Sequence, residues 1–227
     1  MCGRFTLSLS AETLAAFFGV EEIKDLDTRF NIAPTQNVVA AIKNQNSDRL
    51  EICHLHWGLI PSWAKDTSMA AKLINARAET VAEKPAFRAA FKHRRCLIAA
   101  DGFFEWQKQG TKKQPFYFRV KDGEPFAFAG LWERWSSPDG EEIDSCTILT
   151  TTANELVQPV HERMPVILSP EDDDLWLNPQ INTPEQLQPL LKPYPAAAMT
   201  VYPVSTKVNN SRYDHPDCIQ PMNRINP

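Results

Sequence analysis

A cysteine at position 2, in the opening sequence MCGRF, offers the most distinctive chemistry in this chain. We expect Met1 to be removed, because aminopeptidases generally cleave it when the second residue is small, and Cys2 then carries a free α-amine beside its thiol. With a pKa near ~7.8, that amine is unprotonated at pH 7 about 300 times more often than a lysine amine. It condenses with an aldehyde to an imine, and the thiol closes on the imine carbon to form a five-membered thiazolidine. Cys2 is therefore a candidate aldehyde trap, unless a cysteine at this position is incidental.

Four further stretches place polar residues among apolar or aromatic ones. They are HWGLIPSWAKD (56–66), INARAET (74–80), ADGFFEW (100–106) and VHERMPVIL (160–168). Three of their polar residues, Asn75, Glu105 and His161, are of types that hold or transfer protons. Each also has an ordinary structural interpretation: Asn75 as the N-cap of a helix that begins after it, Glu105 as a surface or ion-paired residue, and His161 as a core histidine.

The familiar metal-binding and hydrolase motifs are incomplete in this sequence. HERMP (161–165) has a proline where HExxH needs a second histidine. His54 and His56 share a strand face but lack a third ligand, and the five cysteines contain no CxxC pair. RYDHPD (212–217) has the residue types of a catalytic triad, but no nucleophile-elbow motif surrounds a serine. We therefore expect no metal ion and no cofactor.

The composition is that of a soluble globular protein, with 43% hydrophobic and 23% charged residues. No apolar run approaches the roughly 20 residues that a membrane span needs, so we expect neither a membrane partner nor a signal peptide. Widely spaced cysteines fit a reducing cytoplasm better than a disulfide framework. The net charge of −4 argues mildly against nucleic acid, although RAAFKHRR (88–95) is either a local cationic face or a solvated surface.

Helices are predicted to be short, since eighteen prolines are scattered through the chain. One helix is predicted over 11–18, where Ser10 can cap the first turn. A second helical stretch covers roughly 77–92 and is interrupted near Pro85. Two further helix starts have a Ser or Thr cap before a proline, in SPED (169–172) and TPEQ (183–186).

Strand-like runs dominate the rest of the chain. They lie at 37–43, 50–57, 96–101, 103–106, 115–120, 125–135, 145–153 and 199–204. Asp-Gly pairs in KDGE (121–124) and PDGE (138–141) are typical of β-hairpins and so of antiparallel pairing. We therefore predict a single α+β domain over 1–227, with a strongly twisted, mostly antiparallel sheet or open barrel as its core and short helices at its periphery.

The opening MCGRF and the four polar stretches, taken in order, resemble the SRAP family (SOS-response-associated peptidase). The similarity continues through RFNIAPTQ (29–36), FAGLWERW (128–135), CTILTTTAN (146–154) and PVSTKVNNSR (203–212), and so covers nearly the whole chain. The resemblance implies an α+β fold on a β-barrel-like core. It also implies covalent cross-linking, through the N-terminal cysteine, to abasic sites in single-stranded DNA, with a thiazolidine formed on the ring-opened deoxyribose.

Carried over residue by residue, the resemblance implies that Cys2 is the nucleophile and that Asn75, Glu105 and His161 support it. An abasic sugar is mostly a closed hemiacetal, so its ring must open before an amine attacks C1′. Glu105, with a pKa raised by its apolar flanks, would take a proton from the α-ammonium and give it to the ring oxygen. His161 would serve the sugar hydroxyls and the imine, and Asn75 would position the amine.

Contacts with DNA are expected from residues beside this set. Gly3 leaves room for a ligand close to the backbone. Trp63 and Pro34 are predicted wedges or stacking platforms, with a core position as the alternative for Trp63. Arginine suits phosphate because its guanidinium fork matches phosphate geometry. The predicted phosphate ligands are three arginines: Arg4, Arg77 and Arg163.

Two other functions stay open at this point: a thiol peptidase that uses Cys2 as nucleophile and its own amine as base, which the family name reflects, and a non-covalent reader of modified bases. The sequence departs from some relatives at His56, where they have arginine before WGL. We expect a monomeric cytoplasmic protein, associated with the nucleoid when bound to DNA, that shields abasic sites in the DNA-damage response.

Overall fold

A computed structural model describes residues 2–43 and 49–222. Within these residues the chain forms twelve strands: Phe5–Leu7 (β1), Arg29–Ile32 (β2), Asn37–Lys43 (β3), Leu50–Trp57 (β4), Asn75–Arg77 (β5), Arg95–Ala100 (β6), Gly102–Gln109 (β7), Lys112–Val120 (β8), Phe126–Ser136 (β9), Glu142–Thr152 (β10), Arg163–Pro165 (β11) and Met199–Pro203 (β12). The α-helices are Ala11–Phe18 (α1), Arg88–His93 (α2), Pro170–Leu177 (α3) and Pro184–Leu187 (α4). The predicted α+β class with short peripheral helices is confirmed.

Five strands close into a barrel, in the order β4, β3, β6, β9 and β10. Four of the five pairings are antiparallel. The fifth, between β10 and β4, is parallel and opposes Ser145 to His56 and Cys146 to Trp57. Closure removes the free strand edges that an open sheet would expose. The barrel is thus a rigid base against which the remaining elements pack.

An antiparallel sheet of β12, β8, β7, β1 and β2 packs beside the barrel. Phe5 on β1 joins the two, since its ring lies 5.1 Å from the ring of Trp57 and 5.5 Å from that of Phe128 on β9. The Thr6 hydroxyl also donates to the Asp101 carboxylate, and the Ser8 backbone N–H donates to it at 2.8 Å. These contacts hold β1 in place and thereby fix the start of the chain.

Several local predictions are confirmed. The Ser10 side chain accepts from the Thr13 backbone N–H at the start of α1. β3 and β4 span the residues predicted for them, and α3 and α4 both begin with a proline after their caps. PDGE connects β9 to β10, which pair antiparallel as a hairpin. The bounds of these elements are set mainly by residues close in sequence, so the sequence pattern predicts them correctly.

The hairpin predicted at KDGE is wrong. Asp122 and Gly123 do adopt the positive φ angles, 64° and 72°, that a tight hairpin turn requires. The strands on either side do not pair, however, because β8 lies between β7 and β12 whereas β9 lies between β6 and β10. The turn therefore leads the chain from the outer sheet into the barrel. Turn geometry is local, but the choice of partner strand is set by the whole fold.

The helical stretch predicted over 77–92 is also largely wrong. Its beginning belongs to β5, turns follow, and the helix α2 covers only Arg88–His93. β5 pairs in parallel with Ile148–Thr150 of β10. Strand pairing against a buried neighbour outweighs a local helical tendency of a few tenths of a kcal/mol per residue. Asn75 consequently begins a strand and is not a helix cap. No helix among the described residues is long and apolar enough to cross a membrane.

Candidate active site

Cys2 is completely buried at the entrance to β1. The Asn75 side-chain amide donates to the Cys2 carbonyl oxygen at 2.8 Å. The Phe104 backbone N–H donates to the carbonyl of Arg4 at 3.0 Å, which continues the β1–β7 pairing towards the N-terminus. The first residues are thus held by β5 on one side and by β7 on the other. The thiol of Cys2 occupies a defined position.

Asn75 comes to Cys2 because β5 pairs with the middle of β10, where Ile148 lies opposite Asn75. Its side-chain nitrogen is used by Cys2, while its Oδ1 is buried and accepts no hydrogen bond from the described residues. A buried acceptor without a donor is costly. An incoming ammonium, imine or hydroxyl group would satisfy it.

Glu105 lies on β7, next to the aromatic pair Phe103 and Phe104, and is only 3% exposed. Burial raises the pKa of this carboxyl, and the charge of His161 opposes that rise. Burial also raises the pKa of the Cys2 thiol well above its usual range, and the charge of Glu105 raises it further. Glu105 therefore lies close enough to interact electrostatically with both Cys2 and His161, and the thiol is kept neutral.

His161 lies in the loop before β11, and its Nδ1 contacts both main-chain groups of Arg163. The Arg163 N–H donates to Nδ1 at 3.0 Å, and the Arg163 carbonyl oxygen is 3.2 Å from the same nitrogen. The neutral ring can accept from the N–H, and the protonated ring can donate to the carbonyl. These two contacts with the main chain of Arg163 fix the orientation of the His161 ring.

A cavity of about 480 Å³ opens beside these residues. Its walls are formed by Arg4, Glu105, Trp106, Lys113, His161 and Asn209. Arg4 is fixed at the wall because its guanidinium donates to Asn31 Oδ1 at 2.8 Å and to the carbonyl of Val208 at 2.7 Å. The cavity combines cations, one carboxyl, one imidazole and an aromatic face, and it has room for a sugar with a phosphate attached.

The other predicted DNA ligands lie outside the walls of this cavity. Gly3 and Pro34 are partly exposed, and Arg77 is exposed on β5, two residues after Asn75. Trp63 is 59% exposed, so its core interpretation is wrong. Arg163 is nearly buried, and its guanidinium donates to both oxygens of Glu79, at 2.6 and 2.9 Å. That Arg77, Arg163, Trp63, Pro34 and Gly3 contact DNA stays a prediction.

Sequence reasoning missed four residues that shape the cavity: Asn31, Trp106, Lys113 and Asn209. Asn31 is completely buried and donates to the carbonyls of Val208, Asn210 and Tyr213, which anchors the C-terminal segment beside Arg4. The Trp106 indole donates to Asn209 Oδ1 at 2.7 Å. The sequence feature that could have indicated Asn31 is that it is a polar residue within the apolar stretch FNIA (30–33).

His56, the position that departs from some relatives, is half-buried, and burial lowers its pKa. It lines a second cavity of about 340 Å³ together with Thr35 and Ile60. Among the described residues, no group of three or more His, Cys, Asp or Glu side chains is arranged to hold a metal ion.

Comparison with known proteins identifies the family. The family model for SOS response associated peptidases (SRAP) matches residues 1–211, and the chain belongs to this family. A Bacillus subtilis protein named "Abasic site processing protein YoqW" is 43% identical over 224 residues, covering 97% of this chain and 99% of that protein. The Escherichia coli "Abasic site processing protein YedK" is 32% identical, covering 98% of this chain and all of the relative.

A vertebrate relative and a solved structure agree with this assignment. The Xenopus tropicalis "Abasic site processing protein HMCES" is 34% identical over 201 residues, covering 78% of this chain and 59% of that protein. A crystal structure of a protein from Bacteroides thetaiotaomicron superposes with a TM-score of 0.86 at 30% identity, covering 97% of this chain and 99% of the other. The fold expected from the family resemblance is confirmed.

Proposed function

We propose that this protein processes abasic sites in single-stranded DNA by binding them covalently through Cys2, which shields the lesion. The observation that carries the proposal is a buried thiol at residue 2, with its carbonyl held by Asn75, beside a buried carboxyl that borders a sugar-sized cavity. The names of the relatives YoqW, YedK and HMCES support abasic sites as the substrate. Removal of Met1 is part of the proposal, because the chemistry needs a free α-amine.

The reaction joins one amine, one thiol and one aldehyde with loss of one water. Glu105 takes a proton from the α-ammonium and passes it to the ring oxygen, while the C1′ hydroxyl returns its proton to the carboxylate, so that the closed sugar opens to its neutral aldehyde. The free amine then attacks C1′ to give a carbinolamine, which loses water to become an imine. The Cys2 thiol adds to the imine carbon, its proton passes to the nitrogen, and the thiazolidine closes. No oxidant or metal ion enters this balance.

The order of steps follows from the ionisation of the site. Because the pKa of the Cys2 thiol is raised, the thiol is not the group that attacks first. The α-amine is the better first nucleophile, since its ordinary pKa is close to neutral. A thiol peptidase would instead need a thiolate, favoured by a nearby positive charge. The environment of Cys2 thus favours the cross-link over peptide hydrolysis.

Intact-mass spectrometry of the protein, alone and after incubation with an abasic oligonucleotide, tests the proposal. We expect the free protein to lack Met1, and the adduct to weigh the sum of protein and oligonucleotide minus one water. Cys2→Ala should retain only a reversible imine, with strand cleavage by β-elimination. Cys53→Ala, which changes a partly exposed cysteine outside the site, is the matched control and should cross-link normally. An adduct of Cys2→Ala as stable as that of the natural sequence would refute the thiazolidine.

A further inference from the structure

The outer half of the β7–β8 hairpin carries three lysines, Lys108, Lys112 and Lys113. Lys108 lies directly opposite Lys113 in the antiparallel register. Like charges at opposed positions destabilise a strand pair. No carboxylate among the described residues forms an ion pair with either lysine, and both are exposed. The hairpin therefore concentrates positive charge without internal compensation.

The paired lysines continue a wall of the candidate active site. Side chains alternate between the two faces of a strand, so Trp106 and Lys108 share a face, and Lys113 joins them because it opposes Lys108. Lys113 and Trp106 both line the cavity that contains Glu105. Lys112 lies opposite Gln109, on the other face, and does not line the cavity. The charge thus extends outwards from the part of the cavity wall formed by Trp106 and Lys113, along one face of the hairpin, whereas Glu105 alternates to the face that carries Lys112.

Two side-chain hydrogen bonds brace the hairpin that carries these lysines. Gln107 donates its side-chain N–H to the carbonyl of Pro159 at 2.9 Å, in the loop that carries His161. On the other strand, Gln114 donates to the carbonyl of Val204 at 2.9 Å, just after β12. Because the backbone of the hairpin is held from both sides, it loses little conformational freedom when a ligand binds. Its position is also tied to that of His161.

We propose that Lys108 and Lys113 bind the phosphodiester backbone of the strand as it leaves the cavity on one side of the abasic residue. This inference rests on the proposed function, because it takes the occupant of the cavity to be an abasic sugar within single-stranded DNA. A polyanion with regularly spaced charges matches two uncompensated cations that extend from a sugar-binding cavity.

The test measures binding without cross-linking. The probe is a single-stranded oligonucleotide in which a tetrahydrofuran replaces the abasic sugar, so that no aldehyde is present. Dissociation constants are measured over a range of NaCl concentrations for the natural sequence and for Lys108→Ala/Lys113→Ala. With about 0.7 counterions released per phosphate contact on a single strand, the salt slope should fall by about 1.4, and the affinity at 0.1 M salt by about 25-fold. Lys112→Ala, the same change on the opposite face, is the matched control.

Two results would overturn the inference: a salt slope that the double variant leaves unchanged, or a slope that Lys112→Ala lowers as much. Oligonucleotides that extend from the tetrahydrofuran in only the 5′ or only the 3′ direction add a second readout. The double variant should weaken binding to one of them, and an equal loss with both would contradict a one-sided contact. If the natural sequence binds this probe in a lysine-dependent way but never cross-links abasic DNA, the chemistry fails and the backbone contact stands.

Discussion

Glu105 combines burial with a place at the wall of an open cavity. A carboxyl with a raised pKa exchanges its proton more readily near neutral pH than an ordinary glutamate, whose pKa is about 4.3. The same property has a cost for folding. Between the unfolded and the folded pKa, the folded chain holds a proton that the unfolded chain has released, so this group lowers stability as the pH rises.

Glu105→Gln should therefore slow cross-linking and make the protein relatively more stable as the pH increases. The amide has nearly the same shape but neither transfers the proton nor becomes charged. The stability difference between variant and natural sequence should grow in favour of the variant from pH 4 upwards and level off above the folded pKa. Urea unfolding at a series of pH values measures it, together with the cross-linking rate.

Glu133→Gln is the control for this prediction. Glu133 is also buried, but it forms an ion pair with Arg94 at 2.7 Å, so its amide variant should lose stability. If Glu105→Gln behaved in the same way at every pH, with no gain at higher pH, the buried carboxyl would be acting as a structural partner and the proton-transfer role would lose its support.

At the level of elements, Arg163 connects the strands that carry the site. It lies on β11, opposite Thr152, and donates to the Thr150 carbonyl of β10 as well as to Glu79, just beyond β5. Its side chain thus ties together the elements that bear Asn75 and His161. The sequence alone suggested a phosphate ligand at this position, and the ion pair offers a structural role.

Arg163→Ala should lower the free energy of unfolding by about 2–3 kcal/mol, because a nearly buried guanidinium with several acceptors is lost while the half-exposed Glu79 can rehydrate. Glu79→Gln should cost about 1 kcal/mol or less. Urea unfolding of the two single variants and the double variant gives their coupling energy, and additive effects would contradict the ion pair. A phosphate contact would in addition lower the DNA salt slope by about 0.7.

Some of the strands could be predicted from local sequence patterns, and others could not. β3, β4, α1 and the PDGE hairpin were predictable, since side-chain periodicity, caps and turn residues act within a few positions. The extent of β5 and the separation of β8 from β9 were not, because each depends on which distant strand supplies the backbone partners. The contact between Asn75 and Cys2 therefore depends on a strand pairing that local propensities do not indicate.

Across the whole molecule, the buried guanidinium of Arg95 joins the peripheral elements to the barrel. Among the described residues, its hydrogen-bond acceptors are backbone carbonyls: those of Phe91, Lys92, Trp176, Asn178 and Ile181. Burial lowers its pKa to about 10. The Arg95 side chain on β6 thus donates hydrogen bonds to carbonyls near the C-terminal end of α2 and to carbonyls at and just after the C-terminal end of α3. None of these residues lines the cavity.

Arg95→Lys should lower the free energy of unfolding by about 2–4 kcal/mol, because an ammonium has three donors where the guanidinium has five, and at least two buried carbonyls lose their partner. The urea midpoint should fall with an unchanged m-value, and the cross-linking rate of the folded protein should not change. Arg134→Lys, on an exposed arginine paired with Asp144, should stay within about 0.5 kcal/mol. A comparable loss of stability in Arg95→Lys and Arg134→Lys would contradict a stabilising role for the hydrogen bonds from Arg95 to the five carbonyls.

Residue types and their short-range spacing were sufficient to select Cys2 as a candidate nucleophile, to identify the family and to predict most of the secondary structure. The folded arrangement was needed to show which polar groups meet. Asn75 and Cys2 are 73 positions apart, and Arg163 and Glu79 are 84. Such contacts are selected by burial and by pairing between distant strands, and a linear pattern does not encode that choice. The charged hairpin beside the cavity emerged for the same reason, since only the register places Lys108 opposite Lys113.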